Sequence, residues 1–567
     1  MKKKLLFGLI ILVLVILPLM AACGTKTTST ATPTSKPATS APATSAPAGQ
    51  PATTSAPATS SAPATQPAAT TSGPAPTAAK PTKINVGLQG GVTTLDPTVM
   101  NGGGGAAGNN VFEYLIGFDK DNKMIPILAE SWAFSPDFLT LTVKLKKGIV
   151  FSTGDPLTAA DVVFSLEMYK AQPGPTSAQL TQNFSGVTVV DDYTINFNFP
   201  AVNVQFLPQT LTNMFIMSKK QYDREGASGW VKNPAGTGPY KFAGFKEGQY
   251  CDITYNDKYR GAKPPITDAR FFYVADSATR ISMLQAGEVD LIMDVPAGSI
   301  AQLQKAGYTR YDVVQPHDIC LQFGYLDTSV PWAKVEVRKA INYAIDKDTL
   351  NKAVFGGVFQ KGTWQFSWEL GYDSTLDPYY PYDLAKARQL MQQAGYPNGF
   401  EMPLYYPSFM SWAKDMVDYL TVALKQINIT VKPMACSDFM AMASQWMRIH
   451  NHFQTPTEMG VLLFDVGWPG NPEPAINLTN GFYFKKDNTL FYDEELNKLI
   501  DQVLVTADNA ARAKLVNQAY KRINDTMPFI PIFTEVTCFA WKNNIVYTPS
   551  RGGMQANPAN IFDLSYK

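Results

Sequence analysis

LAESWAFSPDFLTLTVKLKKGIVFSTGDPLTAADVVFSLEMY, residues 128–169, holds both periodicities that decide the fold class. Within it, residues 139–145 read Leu-Thr-Leu-Thr-Val-Lys-Leu, the period-two alternation of a half-buried strand. After Asp155-Pro156-Leu157 the period changes. Thr158 is placed as an N-cap with Asp161 three residues on, and Val162, Val163, Leu166 and Tyr169 then form the buried face of a helix.

The same two patterns recur outward from this stretch. Residues 83–88 and 192–199 alternate as strands, and Asn101-Gly102-Gly103-Gly104-Gly105 reads as a permissive loop before the apolar segment 111–118. A helix over 277–286 stops at Gly287, and a strand over 289–295 follows. A second block opens near residue 318 with a strand over 319–325. Val337, Ala340, Ile341, Ala344 and Ile345 then take helical spacing. Asp383, Asp493 and Asp508 are read as helix caps, and Trp412, Met416, Leu420, Leu424 and Ile427 form a further apolar stripe. Strands over 429–433 and 529–533 complete an alternation that argues for an α/β class.

The 567 residues carry 48 basic and 47 acidic groups, net +1. The first 82 contain six lysines and no acid, which leaves a mildly acidic body without the clustered Lys/Arg that nucleic acid requires. A body of that length holds two or more lobes with full cores. No long apolar run follows residue 22, which excludes a polytopic membrane protein.

Lys2, Lys3 and Lys4 precede an apolar run over 5–20, then Ala21, Ala22 and Cys23, the layout of a secretory signal over 1–22. Leu19-Met20-Ala21-Ala22-Cys23-Gly24 resembles a bacterial lipobox, with Met20 where Leu is usual, and Cys23 is the expected lipid-attachment residue. Residues 24–82 are almost wholly Ala, Pro, Thr and Ser, too poor in large apolar groups to offset the entropy of ordering. With Cys23 they read as a tether, so the body is expected outside the cytoplasm.

Further blocks follow the opening one: NPAGTGPYKF at 233–242, AGEVDLI at 286–292, VRKAINYAIDKDTLNKAVFGG at 337–357, DLAKARQLMQQAGYPNG at 383–399, Gly467-Trp468, and MPFIPIF at 527–533. Together with 128–169 this ordered series strongly resembles the extracytoplasmic solute-binding proteins of family 5, the oligopeptide, dipeptide and nickel class that serves ABC importers. The resemblance implies two α/β lobes. Lobe I takes 83–313 and 530–567 and carries an inserted subdomain at about 120–232; lobe II takes 314–529. It also implies chain crossings near 313–318 and 526–533, a ligand held between the lobes, closure around it, delivery to permease subunits, and a monomer without cofactor.

Peptide-binding members hold the ligand ammonium with an Asp three residues after the Trp of the Gly-Trp pair. Here that position is Asn471, a neutral amide, with Glu473 two residues beyond. Trp468, Asn471 and Glu473 are therefore candidate ligand contacts, and Trp364 and Trp368 candidate stacking surfaces. The expected solute is peptide-sized, and the neutral Asn471 argues against peptides with a free N-terminus; the alternatives are an oligosaccharide, a metal chelate, or a role presenting ligand to a sensor. His450-Asn451-His452 places two imidazoles on one face if the segment is a strand. No nucleophile elbow and no Cys-x-x-Cys occurs, so no enzyme is expected. Cys251, Cys320, Cys436 and Cys538 could pair in three ways or stay free.

Overall fold

The computed structural model describes residues 80–91, 93–100, 102–172, 180, 184–376, 380–410, 412–450, 460–467, 472–484, 489–550 and 557–567. The signal, Cys23 and the tether up to residue 79 lie outside them, as do Trp468, Asn471 and His452.

Lys83–Leu88 buries Ile84, Val86 and Leu88 and is the pivot of lobe I. It pairs in parallel with Asp268–Tyr273 on one side and with Leu291–Ile292 on the other. Tyr250–Tyr255 and Tyr240–Lys246 extend the sheet antiparallel beyond Asp268–Tyr273. The expected strand over 289–295 is ordered into the ladder only at Leu291–Ile292, because Glu288 and Val289 close the Gly287 stop of the helix Ser277–Ala286.

Two long antiparallel strands, Tyr308–Phe323 and Phe529–Lys542, carry the sheet from lobe I into lobe II. Their register shifts between Val314 and Asp318, opposite residues 534–536. One side of that break contributes Tyr311, Val313, Phe539 and Trp541 to the lobe I core; the other contributes Ile319, Leu321, Phe323, Ile530 and Ile532 to the core of lobe II. Both crossing strands thus change core at this break, at 314–318 on the first and 534–536 on the second. In lobe II the sheet continues through Val461–Gly467, antiparallel to Tyr308–Phe323, and then in parallel through Phe400–Pro407 and Ile429–Cys436. Among the described residues this is one eleven-stranded sheet shared by two lobes.

The inserted subdomain has its own core under a four-stranded antiparallel sheet: Ala129–Phe134, Thr140–Leu145, Thr194–Asn198 and Gly186–Asp191. The helix Ala159–Ala171 starts as read, with the Thr158 N–H donating to Asp161 Oδ2 at 2.8 Å. Asp161 also accepts from the Lys219 N–H at 2.9 Å, which docks the helix Lys219–Trp230. Asp383, Asp493 and Asp508 cap their helices, accepting from Lys386, Leu496 and Ala511.

The glycine run is a helix, Gly102–Val111, not a loop. Packing overrides propensity here: Ala107 and Val111 are buried, and the Val111 carbonyl accepts from the Gly238 N–H at 2.9 Å. A side chain at Gly236 would put its first carbon 1.9 Å from that carbonyl, so the closeness of the two backbones depends on glycine. His450 likewise ends a helix, Phe439–His450, so its expected strand face does not exist; its ring stacks on Trp446. The four described cysteines are buried free thiols.

Candidate functional site

Trp132 and Phe134 are two apart on Ala129–Phe134 and therefore project from one face of the strand. The hairpin that follows turns through Phe138 with φ 58°, a left-handed conformation unusual for an aromatic residue, and brings its ring 5.5 Å from that of Phe134. Phe118 and Met124 from the adjacent hairpin, with Val204 and Leu207, complete an aromatic wall on the subdomain. Facing it, lobe II presents Trp368, Leu370, Pro472, Glu473 and Arg512. The two walls enclose about 930 Å³, within the range of small-solute sites.

The floor is fastened from both sides. Asn203 Oδ1 accepts from the Gln205 and Phe206 N–H groups, which opens the short helix Phe206–Thr210 and aims Gln205 outward. Gln205, 3% exposed, reaches lobe II, where its Nε2 donates to the Ala475 carbonyl at 2.9 Å and the Thr479 hydroxyl at 2.7 Å.

Glu473 caps the helix Pro474–Gly481, its carboxylate accepting from the Ala475 N–H, with Pro474 suited to the first helical position. Arg512 approaches from the helix Asn509–Thr526 and grips Glu473 through Nη2 at 2.8 Å and Nε at 3.2 Å. Its remaining N–H groups go to the carbonyls of Thr506 and Ala507 and to Asn509 Oδ1. The guanidinium is saturated. Burial pushes the Glu473 carboxyl up even against the pull of Arg512. Beside it Glu369 accepts from Asn477 Nδ2 at 2.6 Å, the Phe366 N–H at 3.2 Å and the Tyr520 hydroxyl at 3.3 Å. Burial, with Glu473 adding to it, raises the Glu369 carboxyl to about 8.

Of the residues singled out in the sequence, Trp368 and Glu473 line this cavity, and Trp368 stacks on Phe366 with centroids 4.8 Å apart. Trp364, 5% exposed, packs against Phe482 and Phe529 in the core instead. Trp468 and Asn471 lie outside the described residues; Gly467 just before them pairs with His317 at the crossing. Glu369, Arg512, Asn203 and Gln205 escaped sequence reading. Each sits in an ordinary local context, and only the meeting of distant segments makes them a cluster. Among the described residues no group of three or more His, Cys, Asp and Glu is arranged to hold a metal, and no helix is long and apolar enough to cross a membrane.

Residues 123–489 match the model of bacterial extracellular solute-binding proteins, family 5. The glutathione-binding protein GsiB of Pectobacterium atrosepticum is 28% identical over 472 residues, 81% of this chain and 89% of that protein. GsiB of Escherichia coli K12 is 27% identical over 485 residues, 82% of this chain and 91% of that one. The substrate-binding protein CtaP of Listeria monocytogenes superposes with a TM-score of 0.75 at 22% identity, covering 86% of this chain and 99% of that one. DppA of Helicobacter pylori, in complex with the peptide STSA, superposes at 0.70 with 21% identity, covering 86% and 98%.

Proposed function

The chain belongs to the bacterial extracellular solute-binding proteins of family 5, and from that premise we propose that it captures a small peptide-like solute between the aromatic wall of the subdomain and the charged wall of lobe II, then delivers it to an ABC permease. The observation that carries the reading is the cavity itself: about 930 Å³, five aromatic rings, and a buried ion pair within one enclosure. GsiB relatives named for glutathione support a peptide-like solute.

The mechanism is differential binding. A solute touching both walls stabilises the closed arrangement, and one touching a single wall leaves the equilibrium where it was. We place the hinge at the register break between Val314 and Asp318 and opposite 534–536, where the two crossing strands leave one core and enter the other. Trp368 stacks on the solute. Glu473 acts through the ion pair, its charge already balanced by Arg512, and neutral Asn471 with Trp468 completes the contact. That combination makes no demand for a free ammonium, so Asn471→Asp raises affinity for short free peptides. Cys23 carries the lipid that anchors the tether to the membrane, and the protein works as a monomer.

Native mass spectrometry of the protein as purified tests this. A retained peptide-sized mass, with compaction in small-angle scattering when glutathione or a peptide mixture is added, is the expected result. No retained mass and no compaction with any mixture would overturn it. Loss of membrane fractionation in Cys23→Ser tests the anchor separately.

A further inference from the structure

We infer that Glu369 is an uncharged carboxylic acid in the folded protein and a positioning residue, its proton tying the Trp368 loop to the helix Pro474–Gly481 and making solute capture sensitive to alkaline pH. Three observations on one cluster converge. Two carboxyls, Glu369 and Glu473, are buried beside one another, and the only guanidinium among the described residues of this wall, Arg512, has its N–H groups all engaged by Glu473, Asn509 and two carbonyls, none by Glu369. A carboxylate buried without its own cation takes a proton instead. Next, Glu369 Oε1 lies 2.6 Å from the Asn477 amide, short for N–H···O and ordinary for O–H···O. Finally, Asn477 is 1% exposed, and its Oδ1 has no hydrogen-bond partner among the described residues.

A half-turn of the amide accounts for the distance and gives the orphaned oxygen a donor: the protonated carboxyl donates its O–H to Asn477 Oδ1, while the Tyr520 hydroxyl donates to Glu369 Oε2. Around Glu369 stand Glu473 at the start of the helix Pro474–Gly481 and Tyr520 from the helix Asn509–Thr526; Arg512 of that helix and its cap Asp508 line the same wall, and Lys123 is across the cavity. Arg512 is the one cation of these on the same wall. The carboxyl's rise to about 8 through burial agrees with the geometry.

Ionisation removes the donor to Asn477 and sets a second negative charge beside Glu473. Trp368 and Leu370, which flank Glu369 in sequence and line the cavity, shift with it. The folded value lies above the usual 4.5, so the unfolded chain loses this proton first. The stabilisation is complete below 4.5, declines as pH rises toward 8, and is lowest above it.

Ligand-free protein provides the first test. With ¹³C-labelled glutamate, the carboxyl resonance missing from E369Q is expected to stay protonated at pH 7 and to titrate near 8. Titration near 4.5 overturns the inference. E369Q keeps a neutral donor and is expected to abolish the fall in wild-type melting temperature between pH 5 and pH 8; parallel falls overturn it. The coupling to capture rests on the proposed solute-binding role and is read by calorimetry with glutathione. Wild-type affinity is expected to drop about tenfold from pH 7 to pH 9 as the competent fraction shrinks. E369Q stays flat and E369A is weak throughout. A flat wild-type profile overturns the coupling, whereas no heat from any form counts against the solute reading and leaves the resonance to decide the proton.

Discussion

The wall contributed by the inserted subdomain is aromatic and takes its shape from a four-stranded sheet, whereas the wall contributed by lobe II is charged and takes its shape from helix ends. Trp132 and Phe134 are where they are because a strand alternates, and Phe138 because a hairpin turns through a positive φ. Glu473 and Arg512 are where they are because two helices start side by side, one capped by Glu473 and the other by Asp508. The first wall offers area without direction and tolerates varied side chains. The second is a closed set of hydrogen bonds in which losing one partner strands another. Permissiveness and rigidity are therefore divided between the two bodies whose approach makes the cavity.

Substitutions that treat the walls differently put this division at risk. Arg512→Ala leaves Glu473 buried without its partner and is expected to cost about 3–5 kcal/mol in denaturant titration, while removing both charges together with Glu473→Gln and Arg512→Met costs less. Equal costs would mean that the charged wall is not a closed set. Trp132→Ala is expected to weaken solute binding by about 1.5–3 kcal/mol in calorimetry, with a smaller effect on stability because the ring is only half-buried. A large melting shift with unchanged affinity would make the aromatic wall structural. Gln205→Ala removes the donor that the Ala475 carbonyl and the Thr479 hydroxyl share and is expected to cost about 1–2 kcal/mol. Scattering of the solute-bound form should show looser apposition of the walls. Thr158→Ala, far from the cavity, is expected to cost about 1 kcal/mol through the capping box and to leave affinity alone.

What could be read in advance followed range. Helix starts at Thr158, Asp383, Asp493 and Asp508 are written within four residues of chain, and the structure has each of them. The strand over 529–533 was visible, but not that it runs on to Lys542 to join both lobes, because that depends on partners some 220 residues earlier. Gly102–Val111 defied its own composition because Gly236 and Gly238 press against its end from another segment. At the cavity, the alternation of Trp364, Phe366 and Trp368 could not say which ring faces in. That was settled by Phe482 and Phe529, which claim Trp364. Glu369 gave no local sign at all, since its meaning comes from Asn477 and Tyr520 on two later helices.

The strand Phe529–Lys542 comes after every strand it pairs with in the chain, yet both lobes need it. A chain leaving the ribosome lays down Lys83–Leu88 early, but Leu291–Ile292 beside it has an unfilled edge until residues 540–541 arrive. Lobe II waits equally for 529–533 to close against 319–323. Two sheets with unsatisfied margins therefore coexist through most of synthesis, a state open to non-native pairing and slow to resolve because the missing contacts are distant in sequence. A message truncated before codon 529 yields neither lobe whole, and a secretory route that keeps the polypeptide extended until its end has emerged suits such an architecture.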